Sequence, residues 1–457
     1  MAGPQRPRNS LKTFLLSSVV GLTLTACVTG AVETDPVIVA EPPVMEATKE
    51  VVAEQAPAFT EAGIAALEKT IDNYVAEGRV YGIHTRLTHK GEVVSDYRTG
   101  LMGLESQTPI GDDTIYRIYS MTKPVTGVAM MMLWEEGKFD LDDPVTKYVP
   151  EFENLKVLAG VNEDGSAILA DMDRAPTMRE VMTHTSGFAY GLGGTDPVNS
   201  AFRDLKVLEA PDLQTFIDRT STIPLLFQPG EHWFYSVGMD IQGYIIEKLS
   251  GQTFGDYLQS RMFEPLGMVD TGFFVPDEKY DRFSEVYGFD PETGALVPLP
   301  FPSLMFRKET IAFESGGGGL VSTMDDYERF AQMLVNRGTL DGVQILKPET
   351  LDVMTTNVLT EGQFLSSAGM SLGDVYPGLG MGLTVGTVED AAAVPSKIPN
   401  GSFFWSGAAS TWFWVDPVNE LTFIGMVQIF DNNNPNGPLE LRETSSNAVY
   451  SAMSEAD

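Results

Sequence analysis

The chain has 457 residues, 43% of them hydrophobic, and a formal net charge of −33 at pH 7. That length allows a large buried core and by itself suggests two or three domains. So acidic a balance argues against nucleic acid or an anionic membrane face as partner, and a single cysteine excludes an internal disulfide.

The first segment reads as a leader. Arg6, Arg8 and Lys12 make a positive start, and Phe14 to Leu24 is an apolar run too short to span a bilayer comfortably. Leu24-Thr25-Ala26-Cys27 closes it and is similar to a bacterial lipobox. That implies a signal peptide over 1–26 and lipidation of Cys27. Val28, in place of aspartate after the cysteine, implies the outer membrane, facing the periplasm, by resemblance to sorting rules. Residues 27–58 then read as the lipidated cysteine and a disordered acidic, Pro-rich tether. From Ala31 to about Phe59, Glu, Pro, Val and Ala alternate with no period that would bury a face. The expected product is an exported protein held to a membrane by acyl chains and not by a transmembrane helix.

The folded domain is expected over 59–457. Glu61 to Glu77 carries Ala, Leu, Ile and Tyr at helical spacing. Gly82 to Leu87 and Glu92 to Tyr97 read as strands with Lys90-Gly91 at the turn. A buried helix follows, through Ala129-Met130-Met131-Met132-Leu133-Trp134. From Asp142 to about Phe301 helical patterns and long loops dominate, among them Met239 to Ser250, stopped by Gly251. Met324 to Arg337 is another helix, with Thr323 and Asp326 at its start. Gly380 to Gly386, Phe403 to Trp405, Thr411 to Val415 and Thr422 to Gln428 are strand candidates, and Leu439 to Met453 closes as a helix. Strands thus sit at both ends and helices in the middle. The simplest assembly is α+β: one antiparallel sheet flanked by helices, with a mainly helical subdomain inserted at about 142–301.

The chemistry begins at Ser120-Met121-Thr122-Lys123. A serine three residues before a lysine shares its helix face, about one turn away. A lysine in an apolar site can lose its charge and take the serine proton. Near a helix start, the N–H of Ser120 itself is a natural oxyanion donor. Further along stand Thr183-His184-Thr185-Ser186-Gly187, then Pro229-Gly230-Glu231 leading to Tyr235-Ser236-Val237, Ser315 with the glycine run 316–319, and Trp405-Ser406-Gly407.

In this order the set resembles the serine β-lactamase and penicillin-binding-protein superfamily, in its class C-like branch, and within that the family VIII carboxylesterases. The resemblance covers roughly residues 60 to 455. It implies the β-lactamase-like fold with the site in the groove between sheet and helical part. It also implies Ser120 as nucleophile, Lys123 as its base and Tyr235 as a phenol that passes protons to the leaving group and from water. Gly407 would let a strand edge approach the substrate, and the N–H of Ala408 would be the second oxyanion donor. Two positions depart from the β-lactamase pattern. Val237 stands where an asparagine usually holds a substrate carbonyl, and Trp405 stands where a lysine pairs with a substrate carboxylate. Several family VIII esterases carry tryptophan at that point.

The expected function is therefore a serine hydrolase cleaving small or apolar acyl esters through an acyl-enzyme on Ser120. Two rivals stand beside it. One is a D-amino peptidase, penicillin-binding enzyme or β-lactamase, which Val237 and Trp405 disfavour. The other is a non-catalytic envelope scaffold, which intact Ser120, Lys123 and Tyr235 disfavour. No cofactor is expected. No metal is expected either, since His84 and His89 fit no ligand spacing and His184 reads as shaping a turn beneath the site. Gly369-Met370-Ser371-Leu372-Gly373 matches a nucleophile elbow, yet the last histidine is His232, before it, so Ser371 lacks the partner that fold requires. The glycine run 316–319 is read as a close backbone approach and not as a phosphate loop, because no Gly-Lys-Ser/Thr follows it.

Overall fold

The computed structural model describes residues 59–299, 306–311, 313–360, 363, 377–432, 434–435 and 437–453. The leader, Cys27, the tether up to residue 58 and Ser371 lie outside the described residues.

An eight-stranded antiparallel sheet forms the frame. In chain order its strands are β1 (Gly82–His89), β2 (Glu92–Gly103), β3 (Thr108–Pro109), β4 (Leu379–Met381), β5 (Gly386–Val388), β6 (Phe403–Ser406), β7 (Trp412–Asp416) and β8 (Leu421–Met426). Across the sheet they run β4-β5-β6-β7-β8-β1-β2-β3. The early and late parts of the sequence therefore meet inside the sheet, where β1 pairs with β8 from His84↔Met426 to His89↔Leu421. Lys90 and Gly91 both take positive φ (53° and 77°), the tight hairpin turn that the Lys-Gly pair promised.

Alternation along the strands splits their side chains between two cores. Ile83, Leu87, Trp412, Trp414 and Phe423 face one layer, which holds Leu67 and Ile71 of α1 (Glu61–Ala76) and Val449 of the C-terminal helix Leu441–Ala452. Phe403, Phe413, Val415, Ile424 and Met426 face the other, which holds α2 (Thr122–Glu135). Every residue from Thr122 to Leu133 is buried. That is why this stretch reads as continuous apolar sequence and not as a stripe. Gly127 sits beneath Thr384, where a Cβ would overlap the threonine hydroxyl.

The chain between 142 and 301 carries short helices at Met178–Met182, Pro197–Asp204 and Leu213–Thr220, and a long one, Gly238–Ser250. The long helix ends at Gly251 with φ +73°, as its glycine stop required. Met324–Val335 starts with the Thr323 side chain accepting from Asp326 N–H.

Three expectations need correction. Gly380 to Gly386 is not one strand but the facing ends of β4 and β5, joined through Thr384 at φ +76°. The middle region is not all helix and loop, since Lys156–Val161 and Ala167–Asp171 form an antiparallel hairpin. The last sheet strand stops at Met426, and Ile429–Phe430 pairs in parallel with Tyr287–Phe289 in a separate small sheet.

Candidate active site

Ser120 lies in a 3₁₀ turn, Tyr119–Met121, that leads into α2. The turn passes straight into α2, so Ser120 and Lys123, three positions apart, share one face. Tyr119 before it adopts φ +41°, unusual for a side chain of that size. The turn is held from three sides. Ile118 N–H donates to the Leu320 carbonyl (3.1 Å), Leu320 N–H to Thr122 Oγ1 (3.1 Å), and Tyr327 OH to the Met121 carbonyl (3.0 Å).

Lys123 is fully buried, and its Nζ is 3.3 Å from Ser120 Oγ, 3.4 Å from Tyr190 OH and 2.5 Å from the Gly317 carbonyl oxygen. The ammonium position also lies 4.5 Å from the centre of the Tyr235 ring and 5.2 Å from that of Tyr190. Burial pulls the lysine down to about 7, against a smaller opposing pull from Asp240. Tyr235 OH donates to Ser120 Oγ at 2.8 Å. Burial holds this phenol in its protonated form, well above the usual tyrosine range, despite the hydrogen bond to Ser120. One hydroxyl oxygen thus lies between a lysine that can be neutral and a phenol that carries a proton.

Asp240, in the first turn of the helix Gly238–Ser250, is fully buried. Its Oδ1 accepts from Ser315 OH (2.5 Å) and Gly317 N–H (3.0 Å). Burial raises its carboxyl above the usual range; the Ser315 hydrogen bond and the lysine charge oppose this. A Cβ on Gly317 would lie 2.6 Å from both Asp240 Oδ2 and Tyr190 OH. The glycine run is therefore a close backbone approach, as its sequence suggested, and its carbonyl reaches the lysine.

The site opens into a cleft of about 560 Å³. Ser120, Tyr235, Trp233, Leu192, Trp405 and Ala408 are among the residues lining it. The Trp405 ring stacks on Tyr235 at 6.1 Å. Gly407 also lines the cleft, at the end of β6, where a Cβ would overlap the Ile118 carbonyl and the Thr411 hydroxyl. The strand comes this close to the serine segment only because position 407 is glycine. Gly407 N–H donates to the Thr411 carbonyl (2.7 Å), and the turn exposes Ala408 to the cleft.

Structure and sequence part at Val237. Its side chain is fully buried in the core and is not among those lining the cleft. It caps the helix Gly238–Ser250, and its N–H donates to the Ala189 carbonyl (3.0 Å). Its role as a residue facing the substrate has no support in this geometry. Tyr190, Asp240 and the Gly317 carbonyl were not foreseen. His184 is fully buried, with Nδ1 3.0 Å from Ser236 Oγ. His84 Nε2 pairs with Asp96 Oδ1 at 2.7 Å, away from this cluster.

Comparison with known proteins now decides the family. The Beta-lactamase family model matches residues 67–444. The chain belongs to the β-lactamase family. Among curated relatives, an uncharacterised protein of Mycobacterium tuberculosis is 34% identical over 361 residues, covering 77% of this chain and 86% of that one. Esterase EstB of Burkholderia gladioli is 30% identical over 371 residues, covering 76% and 86%. Among solved structures, EstCE1, described as a hydrolase with promiscuous acyltransferase activity, superimposes with a TM-score of 0.70 at 22% identity, covering 85% and 99%. The β-lactamase-like fold expected from the motifs is thus the observed one. As a member of the β-lactamase family, with esterases and acyltransferases among its relatives, the chain is a serine hydrolase.

Proposed function

We propose that this enzyme hydrolyses carboxylic esters through an acyl-enzyme on Ser120, with neutral Lys123 as the base. The observation that carries the reading is the position of Ser120 Oγ, 3.3 Å from Lys123 Nζ and 2.8 Å from Tyr235 OH. Lys123 takes the serine proton as Oγ attacks the ester carbonyl carbon. The oxyanion is received by the backbone N–H groups of Ser120 and Ala408. The leaving alkoxide takes a proton from Tyr235 OH, which is refilled from protonated Lys123. Water then attacks the acyl carbon, its proton passing through Tyr235 to neutral Lys123; the bond to Ser120 Oγ breaks, the serine takes that proton back from Lys123, and the acid is released.

Small or apolar acyl groups suit the cleft, because Trp405 presents an aromatic wall beside Tyr235. The name of EstB, an esterase, supports esters as the substrate class. We also propose that the enzyme is exported and anchored through a lipid on Cys27, on the strength of the leader and the sequence around that cysteine. Among the described residues no helix is long and apolar enough to cross a membrane.

The test is a panel of short acyl p-nitrophenyl esters, D-amino peptides and β-lactams on the purified protein, with fluorophosphonate labelling mapped by mass. Ester turnover with label on Ser120 is expected. Efficient penicillin or peptide turnover with esters barely cleaved overturns the substrate reading. Absence of label overturns the nucleophile.

A further inference from the structure

His184, in the motif Thr183-His184-Thr185-Ser186-Gly187, has no part in the proposed reaction. It adopts φ +60°, in the left-handed region, and its ring is completely enclosed. Two of its groups grip the two residues that flank Tyr235. Its backbone carbonyl accepts Phe234 N–H at 2.8 Å. Its ring Nδ1 accepts Ser236 N–H at 3.1 Å, and Ser236 Oγ lies 3.0 Å from the same nitrogen. A backbone N–H can only donate, so Nδ1 carries a lone pair and the ring proton is on Nε2. Burial, with the Lys123 charge nearby, holds the imidazole well below its usual range, in agreement with a neutral ring.

The ring faces complete the arrangement. The imidazole centroid is 4.8 Å from that of Tyr235, and the ring lies nearly parallel to Trp405 at 6.5 Å. Tyr235 also stacks on Tyr190 at 5.3 Å and 7°. The phenol is therefore fixed along its backbone by one histidine and across its ring by that histidine and a second tyrosine. From this geometry we infer that His184 is the positioning residue for Tyr235: it aims the phenol oxygen at Ser120 Oγ and takes no proton itself. The inference rests on the proposed role of Tyr235 in proton transfer.

The physical stake is distance. Proton transfer through Tyr235 depends on the 2.8 Å separation from Ser120. A displacement on the order of 1 Å costs about a hundredfold in rate. Asparagine is the conservative variant, since it tolerates positive φ and its amide oxygen can accept from Ser236 N–H. Glycine tolerates the same φ and removes the acceptor altogether.

The experiment measures kcat and KM for a p-nitrophenyl ester, thermal melting and the rate of fluorophosphonate labelling in the full chain. His184→Gly is expected to lose about a hundredfold in kcat with KM changed less than about threefold, and His184→Asn to stay within about fivefold of wild type. In a Tyr235→Phe background, where no hydroxyl remains to be aimed, His184→Gly should cost less than about threefold more. If the glycine chain does not fold, His184→Asn decides by itself: kcat within about fivefold of wild type supports the inference, and a larger loss at wild-type melting temperature overturns it. An unchanged kcat in a folded His184→Gly overturns the inference. So does His184→Asn as slow as glycine at wild-type melting temperature, because the imidazole then does something an amide cannot. A full cost in the Tyr235→Phe background overturns it too. Failure of wild-type Ser120 to label strikes the proposed function instead, and the two failures are thereby told apart.

Discussion

The carbonyl oxygen of Gly317 takes a hydrogen bond from Lys123 Nζ at 2.5 Å. A carbonyl can only accept, so it claims one lysine N–H in either charge state. In the neutral amine the second N–H is left for Tyr190 OH, and the lone pair faces Ser120. Through this one contact the glycine run aims the base.

The pH dependence follows from the same lysine. The base works only when deprotonated, and burial brings Lys123 to about 7. As pH falls through that value the amine protonates and kcat/KM falls; as pH rises it recovers to a plateau. Lys123→Arg should lie roughly a thousandfold or more below wild type at every pH, since a guanidinium stays protonated. A pH–rate profile with no acidic limb, or an active arginine variant, would rule out a neutral-lysine base.

Gly317→Ala tests how that lysine is aimed. The new Cβ would sit 2.6 Å from Tyr190 OH and from Asp240 Oδ2, so the backbone must withdraw and carry its carbonyl off Lys123. The expected result is a loss of roughly tenfold or more in kcat with KM little changed. Steady-state kinetics beside a melting curve checks it, and an alanine variant with full kcat contradicts the aiming role.

Two serines can be set against each other. Ser120→Ala should lose at least about a thousandfold in activity and keep its fold, because the nucleophile is gone while the oxyanion donors remain. Ser371→Ala, within the elbow-like sequence, should leave kcat/KM unchanged. The reverse result would move the active site.

Trp405→Lys should raise turnover of substrates bearing a carboxylate. A charge-assisted hydrogen bond of about 1.5–3 kcal/mol is at stake, roughly ten- to hundredfold in kcat/KM. Val237→Asn should add little, because that side chain is buried in the core away from the cleft. The measurement is the cephalosporin-to-ester ratio across the two single variants and the double. A large gain from Val237→Asn alone would contradict its buried placement.

Cys27→Ser should release the protein from membranes and leave its catalytic constants unchanged. The sequence between the cysteine and Phe59 has no pattern that would pack on the enzyme. Fractionation with parallel kinetics decides it; a serine variant still in the membrane fraction rejects the lipid anchor.

What the sequence made legible was local. Ser120 and Lys123 declare each other by spacing, Gly251 stops its helix, and Lys90-Gly91 turns its hairpin. The rest depends on segments that approach only after folding. Gly317 lies 194 positions from Lys123, and nothing near either residue announces the contact. Asp240 sits between Met239 and Ile241 with no local sign that it would be buried without a basic neighbour in sequence. Tyr190 gave no signal beyond following the His-Thr-Ser-Gly motif. The place of Val237 two positions after Tyr235 points it at the substrate, but orientation at a helix cap is set by packing. The β4–β5 turn was hidden because it places a threonine, not glycine or asparagine, in the left-handed region. The Lys156–Asp171 hairpin carries a turn signal, Asp164-Gly165, but its mostly exposed strands lack the buried alternation that marks a sheet strand.

The pairing of β1 with β8 has a consequence for synthesis. At the ribosome, β1 emerges with β2 and then waits with one edge bare while about 330 further residues are made, a delay of roughly tens of seconds. Gly407 meets the Ile118 carbonyl only after that interval as well, so the nucleophile turn lacks its opposite wall until the nascent chain is almost finished. A ribosome-stalled fragment ending before β6 should therefore hold Ser120 and Lys123 and yet show no hydrolysis. The exposed strand edge makes the same fragment a natural client for a holding chaperone.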